Sequence, residues 1–115
     1  MTTLTSTQLS NIVREAKEAA YIAASKEDAH GRFGGCGFAW VEVYSYNGKK
    51  VDGRSKIGKM LETQGFRKNH TRTYQMWNPS GLHTQNVQAL CAGADAFTNV
   101  LNSYGFVAYQ SSRLD

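Results

Sequence analysis

The chain has 115 residues, 41% hydrophobic and 11% aromatic, with a single proline; this is the material of one globular domain, residues 1–115, and excludes a disordered polymer or two independent cores. No run approaches the roughly 18–20 apolar residues that span a bilayer, and the N-terminal stretch lacks a basic segment ahead of an apolar one, so a cytoplasmic protein with no membrane contact is expected. The net charge of +4 is uneven: between Asn47 and Arg72 stand Lys49, Lys50, Arg54, Lys56, Lys59, Arg67, Lys68 and Arg72 against Asp52 and Glu62, a local +6 that leaves −2 for the rest.

In chain order, Leu9, Ile12, Val13, Ala16, Ala19, Ala20 and Ala23 recur at steps of three and four, which predicts an amphipathic helix from about Ser6 to Ala29. Ser6 or Thr7 is its expected cap, and Gly31 with Gly34-Gly35 its exit. Next, Phe38, Trp40, Glu42 and Tyr44 alternate with Ala39, Val41 and Val43, the pattern of a central strand covered on at least one face. Asn47-Gly48 predicts a type I′ turn, followed by a short strand or a loop.

Ser55 is placed to cap a short helix through Ile57, Met60 and Leu61 to Gln64, with Gly65 as a left-handed exit and a strand from Phe66. The stretch from Phe66 to Trp77 reads as two short strands broken at Asn69-His70-Thr71. Asn78-Pro79-Ser80-Gly81 is a turn by composition. A last helix is expected from Thr84 to Tyr104, with Val87, Leu90, Ala94, Phe97 and Leu101 as its apolar stripe, and a final strand from Phe106 to Gln110. The expected fold is α+β: an antiparallel or mixed sheet of four to five strands, with three helices packed mainly on one face.

Chemistry concentrates in the basic middle. Lys and Arg neutralise phosphates and aromatic rings stack on bases, so Arg54, Ser55, Lys56, Lys59, Arg67, Lys68, Arg72, Tyr74 and Trp77 form a candidate site for nucleic acid, a nucleotide or another phosphate-bearing ligand. The competing reading is a solvated sheet face with core aromatics. The basic cluster at the start of the short helix invites an anion, because a helix N-terminus presents free N–H groups.

Nothing implies a cofactor or a metal. His30, His70 and His83 fall in loops, no nucleophile motif or paired-carboxylate arrangement exists, and Cys36 and Cys91 lie far apart, both expected as small buried hydrophobes. No catalytic residue is assigned, and the pattern argues against a hydrolase or metal enzyme.

Two resemblances add to this. The stretch Arg54 to Lys59, continuing through Gln64-Gly65-Phe66, looks like the segment by which GNAT acetyltransferases grip the coenzyme A pyrophosphate, which implies acyl-CoA binding. It departs from that pattern, since Lys56-Ile57 lengthen the first spacing and Lys59 replaces a small residue. The blocks GGCGFAWVEVY, SKIGKMLETQGF, MWNPSGLHTQNV, AGADAF and SRLD resemble a group of short proteins encoded by tailed bacteriophages, over Gly34 to Asp115. That likeness implies a phage source and a setting inside a host cell. It adds Asn78, Ser80, Gln85, Asn86, Arg113 and Asp115 as a possible shared surface. A small protein of this kind works by binding either nucleic acid or a host protein that it inhibits, and the basic segment suits both.

Overall fold

The alternating strand is the spine of the molecule. The computed structural model describes residues 4–30, 35–69 and 73–114, and in them the chain runs α1 (Ser6–Ala29), β1 (Gly37–Tyr46), β2 (Lys49–Lys50), α2 (Lys56–Thr63), β3 (Arg67–Lys68), β4 (Tyr74–Trp77), α3 (Val87–Ser103) and β5 (Phe106–Leu114). β1 pairs antiparallel with β5 on one side, and with β4 and then β2 on the other; β3 adds to β4 as an edge. The fold is a small α+β domain with a five-stranded antiparallel sheet.

Alternation along β1 divides the sheet into two unlike faces. Ala39, Val41 and Val43, with Tyr74, Met76, Phe106 and Ala108 of the neighbouring strands, are buried against the helices. α3 lies over β1 and β5, α1 packs along α3, and α2 sits beside β3. Small residues make the α1–α3 contact close: a methyl group on Gly93 would stand 3.2 Å from both the Ala20 carbonyl oxygen and the Ala24 Cβ. α1 is tied at two points, in its first half through Tyr104 Oη donating to Glu15 (2.7 Å) and at its C-terminal end through Thr84 Oγ1 donating to Asp28 (3.2 Å).

Several local expectations change at their margins. The cap of α1 is Thr5 rather than Ser6 or Thr7, because Thr5 and Gln8 form a reciprocal capping box, with the Thr5 hydroxyl accepting from the Gln8 N–H and the Gln8 side chain from the Thr5 N–H. α3 begins at Val87, since Asn86 caps it; the residues from Thr84 are spent on the turn that grips α1. β5 continues four residues beyond Gln110, following β1 back to Gly37. Asn47 and Gly48 both have positive φ (50° and 79°), as a type I′ turn requires. The expected exit at Gly31 and Gly34 lies outside the described residues.

Candidate functional site

The face of the sheet turned away from the helices carries aromatic rings where a solvated sheet carries polar residues. Phe38, Trp40 and Tyr44 reach it from β1, Trp77 from β4 and Tyr109 from β5. Register builds the clusters: Trp40 is the direct partner of Trp77, and the two rings stack at 4.7 Å with 28° between planes. Phe38 meets Trp77 edge-on at 6.0 Å, and the Arg113 guanidinium stands 5.7 Å from the Phe38 ring. At the other end of the face Tyr44 and Tyr109 meet edge-on at 5.4 Å, where the β1–β5 register shifts between Val43 and Ser45. These rings remain open to solvent, Trp77 at 48% and Tyr109 at 58%. Nothing among the described residues covers them.

Between the two aromatic groups lies a half-buried polar centre. Glu42 Oε1 accepts from Asn69 Nδ2 and Thr73 Oγ1, each at 3.1 Å; Oε2 accepts from Ser111 Oγ at 3.3 Å and Trp40 Nε1 at 3.4 Å. Asn69 Nδ2 also donates to Gln75 Oε1 at 3.1 Å. The Tyr44 phenol nearby has its pKa raised, first by burial and then by the charge of Glu42.

The basic segment divides around this face. Arg67, partner of Gln75, lies on the open side of β3. Lys68 turns the other way and lines a recess of about 530 Å³ with Lys50, Asp52, Gly53 and Arg54. Together these residues form a basic margin along the β2–β3 side of the sheet. Lys56 and Lys59 are exposed on α2, in the helical layer. Arg72 lies outside the described residues.

Two features expected of this segment are corrected. Tyr74 has no exposed surface, because as the partner of Val43 it faces the helices; its ring cannot stack on a base. The start of α2 is capped by Ser55 and flanked by a carboxylate. Asp52 Oδ1 accepts from the Arg54 N–H at 2.8 Å and the Ser55 N–H at 3.1 Å, and Ser55 Oγ accepts from the Gly58 N–H at 2.9 Å. The Asp52 carboxyl is held below its usual pKa chiefly by the Arg54 N–H, with the charges of Lys68 and Arg54 acting in the same direction. The protein's own carboxylate therefore stands beside the place that an anion, or a coenzyme A pyrophosphate, was expected to take, on the N–H groups just ahead of the helix.

Of the possible shared surface, Asn78 and Ser80 bond within their turn, Ser80 Oγ donating to Asn78 Oδ1 at 2.9 Å, and Asn86 is the buried cap of α3. Gln85 is exposed and accepts from the Cys36 thiol at 3.5 Å. Arg113 reaches the open face; Asp115 lies outside the described residues. Cys36 is exposed rather than buried, because it takes the open-face phase of the strand that follows it, and Cys91 is half-buried. His30 and His83 are exposed, and His70 lies outside the described residues. Among the described residues no three His, Cys, Asp or Glu side chains gather as a metal site, and no helix is long and apolar enough to cross a membrane.

Sequence reasoning missed Phe38, Tyr44, Glu42, Asn69, Gln75, Tyr109 and Ser111 as parts of one surface. The signal was present: aromatic residues occupied the phase of β1 opposite Ala39, Val41 and Val43. No protein-family model matches the chain, and no curated protein or solved structure matches it either.

Proposed function

We propose that this protein binds single-stranded nucleic acid on the open face of its sheet. The observation that carries the reading is the aromatic array, Phe38, Trp77 and Trp40 at one end and Tyr44 with Tyr109 at the other, on a surface that no helix among the described residues covers. Bases present flat π-faces once unstacked, and exposed rings on an antiparallel sheet offer them platforms. The backbone phosphates run along the β2–β3 margin, within reach of Lys50, Arg54, Arg67 and Lys68, while Arg113 serves the far side. A duplex hides its base faces, so single strands are preferred. The likeness to tailed-phage proteins supplies a setting for this reading: a host cytoplasm, with phage or host strands as the partner.

The test is affinity for mixed-sequence single- and double-stranded oligonucleotides at low and moderate salt. Single strands should bind at least about tenfold tighter. Changing Arg67 and Lys68 together to Ala should weaken binding across sequences and reduce the salt slope by about one unit per lost phosphate contact. Absence of binding at low salt refutes the reading. It would leave a host protein as the occupant of the same rings, since exposed Trp and Tyr are also the usual anchors of protein interfaces.

A further inference from the structure

A carboxylate at the middle of a surface meant for a polyanion needs a reason. Glu42 sits between the two aromatic groups, paired across β1 with Gln75 on one side and Tyr109 on the other. A phosphate placed over it would be repelled, so the part of a strand lying there is a base. The four bonds Glu42 accepts are not equal. Those to Oε1, from Asn69 and Thr73, are 3.1 Å; those to Oε2, from Ser111 and Trp40, are longer, 3.3 and 3.4 Å. The first pair anchors the carboxylate, and the second leaves Oε2 to be taken by a better donor. The Ser111 hydroxyl rotates freely to release it. Gln75, the cross-strand partner of Glu42, has its Oε1 engaged by the same Asn69 amide and so carries its NH₂ group alongside the carboxylate.

The bases differ in what they bring to such an oxygen. Guanine carries two neighbouring donors on its Watson–Crick edge, N1–H and the N2 amino group, next to the O6 acceptor. Adenine and cytosine each set one amino group beside an acceptor, and thymine or uracil has a single imide N–H between two acceptors. A carboxylate flanked by an amide donor complements the first of these. We propose that the polar centre selects guanine: the base lies against Trp40 and Trp77, its N–H donors meet Glu42, and the Gln75 amide meets O6. This rests on the reading of the face as a single-strand platform and assigns the base that the platform prefers.

A good two-point contact to a base edge is worth about 5- to 150-fold in discrimination. The experiment is fluorescence anisotropy with short oligothymidylates carrying one central guanine, adenine or cytosine, on the wild type and Glu42→Gln. The wild type should bind the guanine strand tighter than the others by a factor in that range. Glu42→Gln should lose that preference while binding plain oligothymidylate as well as or better than the wild type, because a negative charge has gone from the face. A merely structural role would weaken all strands together. Equal affinity for the four strands, or a preference for cytosine, overturns the guanine assignment and leaves the platform standing. Failure to bind any strand overturns both.

Discussion

Replacing Trp77 by Ala separates the two things its ring does. The ring stacks on Trp40 at 4.7 Å, meets Phe38 at 6.0 Å, and remains 48% exposed. Two aromatic pairs are lost, each worth about 0.5–1.5 kcal/mol. Because half the ring already faces water, the stability loss should stay near about 1–2 kcal/mol, below the about 3–5 kcal/mol of a fully buried aromatic. Binding should suffer more. One base platform is worth about 1–3 kcal/mol, so the single-strand dissociation constant should rise about 5- to 150-fold. Urea unfolding gives the first quantity and anisotropy with a labelled single strand the second. Trp77→Phe, which keeps a π-face, should recover most of the affinity. Tyr21→Ala, which removes an exposed ring from α1, should change nothing. If Trp77→Ala costs the expected stability and leaves affinity unaltered, the strand does not lie on this face.

Three further outcomes test the framework that holds the face. Gly58→Ala should destabilise by at least about 1–3 kcal/mol in urea unfolding, because a Cβ there runs into the Asp52 carbonyl oxygen and stands 3.0 Å from the Tyr74 hydroxyl; a neutral result means the loop before α2 shifts at no cost. Tyr74→Phe should be within about 1 kcal/mol of neutral, or stabilising, because the buried hydroxyl has no hydrogen-bond partner among the described residues; a larger loss shows that the hydroxyl is engaged. Asp52, with its pKa depressed in the fold, contributes stability that is complete above the ordinary carboxylate value of 3.8 and is lost as pH falls through its lower folded value. Asp52→Asn should flatten that part of a thermal-stability profile in acid, and an unchanged profile would contradict the assignment.

Much of the architecture was legible because it rests on local chemistry. The three-and-four spacing of Leu9, Ile12, Val13 and Ala16 defines the buried side of α1. Gly65 and Gly105 end their helices at φ of 98° and 96°, where a side chain is strained. Asn47-Gly48 closes β1 onto β2 as a type I′ pair. The site was legible only in part, because it depends on register. Charge is countable along a chain, but which face a strand shows depends on its partners. Tyr74 and Trp77 lie three residues apart on one strand, so they point to opposite faces, and composition cannot say which of them is outside. Tyr109 meets Tyr44, and Ser111 meets Glu42, only because β5 pairs along the whole of β1. Asp52 looks like an ordinary loop acid in the sequence, yet its hydrogen bonds to the Arg54 and Ser55 N–H groups set a negative charge beside the helix start, where an outside anion was expected.

The most direct test of a single-strand platform is an NMR titration of the labelled protein with a short mixed-sequence single strand at low salt. The account predicts that the indole N–H signals of Trp40 and Trp77 and the backbone amides of Phe38, Glu42, Gln75, Tyr109 and Ser111 move together and saturably, while amides of α1 stay in place. Shifts confined to α1 and α3, or no shifts at all, would contradict it.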